Sequence, residues 1–316
     1  MKLSVIICGL LFTGMLLAAD AQQAPAPAQG RLVKTPYGDV TLFPSDYPLN
    51  QPIADAQVHE NSDAFIRSIG EARILRPGFG HRDEDGSPMG FRIFTIPGDQ
   101  KKVKVNFELN EPASQDMIDY PIPDEAAALK GSFGNRCVIL DPANKKLYEL
   151  GWLRKEQAGW KTFSGLCFDL TSAKLRQVGK KGGCSSGLPC LAGLVTVQEV
   201  QAGKIEHAML VSVKKTQKGW ISPACGFASV DANQDLPPMG LRLRLRKDFD
   251  TSNWLSTPKM IAEALKTYGM LIADNGTEME LWGEASPWWE GKEVDKLRNI
   301  KAADFEVVDT GPIENP

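Results

Sequence analysis

The six residues Leu241-Arg242-Leu243-Arg244-Leu245-Arg246 alternate apolar and cationic side chains without a break. A period of two sends successive side chains to opposite faces of an extended chain, so this stretch is expected as a strand with leucines inward and arginines in an outward row. Same-face positions recur about every 7 Å along a strand, which suits a polymer with regularly spaced carboxylates or sulfates. Arg242 and Arg244 are therefore candidate substrate-binding residues, weighed against the commoner fate of such a row as a solvated face. Residues 102–110 alternate in the same way, with Val103, Val105, Phe107 and Leu109 on the inner side.

Further short strands are expected at 137–140 and 145–150, paired about Asp141-Pro142, and at 160–169, 220–229 and 305–308. A hairpin over 270–273 and 278–282 is expected about Asp274-Asn275-Gly276, the strongest turn signal in the chain. Two helices stand out. A short one over 63–69 follows Asn61 or Ser62 and stops at Gly70; a longer one is capped by Thr257, opened by Pro258 and ended by Gly269. Many short strands with one well-defined helix make the chain mainly β, a sandwich or barrel-like single domain.

Residues 194–213 read as two strands about a glycine-containing turn, LVTVQEV-QAGK-IEHAMLVSV. Alternation places His207 with Ile205, Met209 and Val211, and Glu199 with Val195 and Val197. An acid and an imidazole on otherwise apolar faces are costly to bury unless they pair, so Glu199 and His207 form the candidate catalytic pair. An odd number of loop residues sets the two face to face; an even number separates them. Asp169, closing the 160–169 strand, is the second candidate carboxylate. The more ordinary reading keeps His207 as a core histidine bonded to a carbonyl and Glu199 at a wet turn.

The ends bound the compartment. Residues 1–21 carry Lys2, an apolar run and a small-residue exit, the pattern of a cleaved export signal. Residues 22–30 form a Pro/Ala-rich tether, 31–316 the β-rich domain, and within it 31–100 an N-terminal arm and short helix lying on the core. The expected location is secreted or periplasmic. No other apolar stretch reaches membrane length, and Lys+Arg 36 against Asp+Glu 39 gives no case for nucleic acid. In an oxidising compartment Cys184–Cys190 and Cys137–Cys225 are the expected disulfides. A zinc site from those four thiols is disfavoured because no Cys-x-x-Cys pair exists, so neither metal nor cofactor is expected.

The segments FDLTSAKLR, GLPCLAGL, GKIEHA, FASVDANQDLPPMGLRLRLR, EALKTYGMLIADNG and DFEVVDTGP resemble a family of exported bacterial β-rich proteins of uncharacterised activity. The likeness covers most of the chain from about residue 45 and implies export and a single domain. It also implies a site in the relatives, with histidine at the position of Cys137, aspartate near Cys184 and histidine at Gly226. Cysteine, cysteine and glycine at those places imply that this member has exchanged chemistry for crosslinks.

Two functions compete. One is an enzyme on extracellular polysaccharide, anionic polymers included, with Glu199 as base or nucleophile, His207 as partner, Asp169 as second carboxylate and Arg242 as anion clamp. The other is a non-catalytic carbohydrate-binding or structural protein, with Trp288 and Trp289 in a Ser-Pro-Trp-Trp loop as stacking surfaces. A deep cleft with paired carboxylates favours the first; a surface tryptophan beside the arginine row favours the second.

Overall fold

The computed structural model describes residues 30–108, 114–129, 136–179 and 183–316. The expected export signal and nearly all of the tether lie outside these residues, as do the last two residues of the 102–110 alternation.

The mainly β expectation is met, and the strands stack in layers. The central layer is a six-stranded sheet curled into a half-barrel. Its order is β15 (Phe305–Val308), β12 (Arg242–Leu245), β13 (Met270–Asn275), β11 (Met209–Val213), β14 (Met279–Leu281) and β3 (Leu75–Pro77). One face turns Leu243, Leu245, Met209, Val211 and Ile272 toward helices α1 (Ser62–Ile69) and α3 (Ser256–Thr267). The other face turns Leu210, Leu271, Ala273 and Trp282 toward a four-stranded sheet. That sheet has the order β10 (Ser164–Asp169), β7 (Lys146–Gly151), β6 (Cys137–Asp141), β4 (Arg92–Thr95). Its outer side, through Ile139, Tyr148 and Leu150, packs on Trp160 of a three-stranded sheet. The outer sheet runs β5 (Val105–Phe107), β9 (Gly159–Thr162), β8 (Arg154–Glu156). A two-stranded ribbon, β1 (Arg31–Val33) with β2 (Val40–Leu42), starts the arm.

Four sequence expectations are corrected. Residues 197–202 form a helix, α2 (Val197–Ala202), instead of a strand. Thr196 and Glu199 make a reciprocal capping box, and Gly203, at φ 83°, closes the helix in the left-handed conformation. The chain also reverses at 274–276 without pairing the two strands there. β11 lies between them, parallel to β13 and antiparallel to β14. All five residues of β11 are buried, so it takes an inner place in the sheet that a local turn cannot reserve for its own strands. Finally, the 160–169 stretch divides between β9 and β10 in different layers, and 220–229 is a loop in which Trp220 makes only single bridges.

The arginine row is corrected most sharply. The leucines of β12 do face the core, yet the arginines opposite them are also buried, with Arg242 4% and Arg244 5% exposed. The arm covers them. Arg242 donates to the carbonyls of Pro48, Gln51 and Tyr268 at 2.7–3.1 Å. Arg244 donates to Ile53, Ala54 and Ala56 at 2.7–2.9 Å and pairs with Glu306 of β15 at 2.7 Å. Burial pulls the Arg242 pKa down to about 10, which still leaves it charged at neutral pH. An irregular arm has carbonyls that no strand partner satisfies, and the guanidinium fork supplies donors to several at once.

Replacing Arg244 with methionine keeps the apolar stem but leaves the Ala54 and Ala56 carbonyls and Glu306 Oε1 without their donor, and Ile53 O with the Ala56 N–H alone. It is expected to cost about 3–5 kcal/mol, and Arg244→Lys to recover less than half of that. Urea denaturation, with limited proteolysis across residues 44–60 as the local readout, checks this. A loss below about 1 kcal/mol for Arg244→Met contradicts the clamp role.

Candidate functional site

The helix that replaces the expected strand arm still brings Glu199 and His207 together. Glu199 occupies the third position of α2, and His207 lies two residues before β11. His207 Nε2 is 2.9 Å from Glu199 Oε1, a short ion-pair distance but off the line of a full hydrogen bond. His207 Nδ1 is 2.9 Å from the carbonyl of Ala208. Both ring nitrogens thus face oxygen.

The pair is part of a larger cluster. Arg31, at the start of β1, reaches Glu199 Oε2 at 2.7 Å. The same guanidinium donates to Leu191 O at 2.9 Å, to Leu194 O at 3.4 Å and to the Thr196 hydroxyl at 2.9 Å. Thr196 in turn donates from Oγ1 to Glu199 at 2.7 Å. Burial alone raises a carboxyl pKa, but Arg31, His207 and the Thr196 hydroxyl together hold Glu199 below the ordinary glutamate range. Arg31 feels the converse: burial lowers its pKa, opposed by Glu199 and Glu284. Arg31, His207 and the hydroxyl and N–H of Thr196 therefore converge on Glu199, and His207 is 0% exposed. The arrangement fixes the arm to α2.

The adjoining space is more open. A cavity of about 170 Å³ has Arg31, Lys34, Thr196, Gln198 and Glu284 among its lining, with Ile93 and Leu140 as apolar wall. Glu284 accepts from the Val197 N–H at 2.9 Å through one oxygen. Burial raises its pKa, against the pull of that N–H and of Arg31. Arg31 Nε is buried and has no hydrogen-bond partner among the described residues. Neither Glu199 nor His207 lines this cavity.

A second buried polar group lies on the other side of the 190–194 turn. Glu149 of β7, 2% exposed, accepts the N–H groups of Cys190 and Leu191, both at 3.0 Å. Burial lifts its pKa, with those N–H groups and Arg136 opposing. Arg136 lies 5.4 and 5.1 Å from the ring centres of Phe91 and Trp282 and pairs with Asp274 at 3.1 Å. Alternation along Leu147, Glu149 and Gly151 sets a carboxylate on an apolar face, the signal that marked Glu199; Arg31 and Glu284 carried none.

The remaining sequence candidates separate. Asp169 is about half exposed, pairs with Lys146 at 2.9 Å and accepts from Thr171, and it has no contact with Glu199 or His207. Trp289 is buried, packs against Phe79 with the rings tilted by 56° and donates to Glu284 O at 2.8 Å, whereas Trp288 is 43% exposed. Trp288 stands apart from the arginines, which the arm covers. No disulfide joins the five described cysteines. Cys184 and Cys190 are hydrogen-bonded neighbours, and Cys184 also contacts the Ser186 hydroxyl at 3.1 Å. The expected Cys137–Cys225 bridge is corrected. Cys137 belongs to the outer core layer with no other thiol acting on it, whereas Cys225 lies near Cys184. Among the described residues no group of three His, Cys, Asp or Glu side chains is arranged to hold a metal ion.

Comparison with protein-family models, curated proteins and solved structures finds no match. Class therefore rests on the fold: a mainly β protein built on a curled six-stranded sheet. No helix among the described residues is long and apolar enough to cross a membrane.

Glu199→Gln leaves the buried Arg31 guanidinium without its 2.7 Å ion pair, an expected loss of about 3–5 kcal/mol at pH 7. Because the folded-state pKa of Glu199 is lowered, its contribution is fully present above the unfolded value of about 4.3 and is lost as pH falls through the folded value. The gap in melting temperature between wild type and Glu199→Gln should narrow below about pH 4. A gap that is constant from pH 7 to 3 contradicts the assignment.

Proposed function

We propose that the protein is exported and binds extracellular polysaccharide without cleaving it, holding a carboxylate-bearing sugar in the cavity beside Arg31. The observation that carries this reading is the cavity itself: a buried guanidinium with an unused N–H, Lys34 at the rim and an apolar wall. At about 170 Å³ it suits one sugar residue or a chain end, being smaller than the roughly 300 Å³ of the smallest drug-sized sites. A carboxylate accepts from Arg31 Nε, Lys34 adds charge, and the second oxygen of Glu284 meets a hydroxyl. Glycoside cleavage uses two carboxyl groups on one substrate, and of this cluster's carboxylates Glu284 alone lines the cavity.

The leader-like residues 1–21 and the resemblance to exported proteins support export, and export brings an oxidising environment. There Cys184 and Cys190 become the disulfide that closes the loop between them. Mass mapping of the purified exported protein under non-reducing conditions should recover a Cys184–Cys190 peptide pair; both thiols alkylated in full would remove the bridge.

Binding is checked by calorimetry of the full chain with trigalacturonate and with neutral galactotriose, assaying new reducing ends in parallel. The acidic trimer should bind, weaken with added salt, and lose about tenfold in affinity in Lys34→Ala, the loss of one charge-assisted hydrogen bond. Reducing ends should not accumulate. Turnover, or no binding of the acidic trimer, overturns the proposal.

A further inference from the structure

Three non-glycine residues among those described have positive φ: Phe43 at 62°, Lys145 at 52° and Trp152 at 58°. A side chain in this region is strained, so each needs a reason. Phe43 is 3% exposed, stacked on Tyr47 and packed in the core. Lys145 lies in the tight turn between β6 and β7, where such angles are ordinary. Trp152 lies in the two-residue link between β7 and β8 and, unlike Phe43, is not in the core. It follows β7, is 53% exposed, and has Phe163 as its ring contact, 5.6 Å between centres and tilted by 35°. Glycine would be relaxed there, yet the chain holds a large indole in water on a strained backbone.

The neighbourhood has a consistent chemistry. Trp152 and Phe163 stand where β8 begins and β9 ends, and Phe163 N–H donates to Gly151 O at 2.9 Å. On the three-stranded sheet, Arg154 lies directly opposite Lys161, and Asn106 opposite Lys161 on the other side. Directly opposed residues share a face, so Asn106, Lys161 and Arg154 form one row. Arg154 grips Glu108 with two N–H groups and reaches Glu156 at 2.9 Å, and Lys161 pairs with Glu156 at 2.8 Å. Trp160, on the alternate face, is buried against the four-stranded sheet. The outer face is thus a hydrogen-bonding row with two acids matched by two bases, ended by exposed Trp152 against half-buried Phe163.

We infer that this face is a binding surface for a neutral polysaccharide, with one pyranose ring stacked on Trp152 and the next residues hydrogen-bonded along Arg154, Glu156 and Lys161. Matched charges disfavour an anionic or cationic polymer, while donors and acceptors in alternation suit vicinal hydroxyls. The ring's C–H face covers the indole. The surface lies on the outer layer and shares no residue with the Arg31 cavity, so it deepens the polysaccharide reading without depending on the acidic sugar.

The test titrates the full chain with cellohexaose, xylohexaose and mannohexaose, following heat and tryptophan fluorescence. At least one neutral hexamer should bind with a fluorescence change. Trp152→Gly should reduce that affinity by roughly tenfold or more, lose the change, and keep or raise the melting temperature because the strain is relieved. Trp152→Phe should bind at an intermediate level, and Lys34→Ala should bind as the wild type does. Failure of all three hexamers to bind, unchanged affinity in Trp152→Gly, or a lowered melting temperature in that variant with binding retained in Trp152→Phe at the wild-type level overturns the inference. Loss of acidic-trimer binding alone leaves this surface intact and removes only the cavity reading.

Discussion

Buried guanidinium groups hold this structure together. Within the N-terminal arm, residues 43–56 run irregularly over sheets that they do not join, and their carbonyl groups cannot be left dry without donors. Arg242 and Arg244 supply them to residues 48–56 from beneath, and Arg31 does the reverse, reaching from the arm to Leu191, Leu194 and Thr196. Each charge is balanced or shared: Glu199 with Arg31, Glu306 with Arg244, and several carbonyls on Arg242. Lysine could not replace these forks, since an ammonium cannot address carbonyls in the same planar geometry.

The same economy of charge explains why an arrangement with the residue types of an active site is closed. Glu199 and His207 meet at 2.9 Å, and their other polar atoms, Glu199 Oε2 and His207 Nδ1, are engaged with Arg31, Thr196 and Ala208. Chemistry needs a reactive group held ready at a surface; here the pairing locks one element to another. The groups that remain available lie beside it, at the Arg31 cavity, and on the far layer at Trp152.

Much of the fold was legible in local pattern. The leucines of β12, the β6–β7 pair and the apolar stripe of α3 follow from periodicity that acts within a few positions, although α3 begins at Ser256 after Leu255 with no side-chain cap, ahead of the expected Thr257. What was not legible depends on distant partners. The arginines of β12 read as outward because alternation reports two faces and cannot tell water from an arm arriving from residues 48–56. The 194–202 segment carried two signals at once, β-branched alternation and the Thr196–Glu199 capping box, and the box prevailed because Gly203 could end a short helix. The Glu199–His207 contact was anticipated from the cost of burying each alone, and that argument holds whichever element carries Glu199. Arg31 and Glu284 come from opposite ends of the chain, and no local pattern links them.

Hydrogen–deuterium exchange of the native protein, resolved by peptide, measures the central claim directly. If buried arginines weld the arm to the sheets, amides of residues 47–56 and 59–62 should exchange as slowly as those of β11 and β13, through the same global opening. Exchange of the arm at loop-like rates while β11 and β13 stay protected would show a segment merely resting on the surface, and would contradict the account.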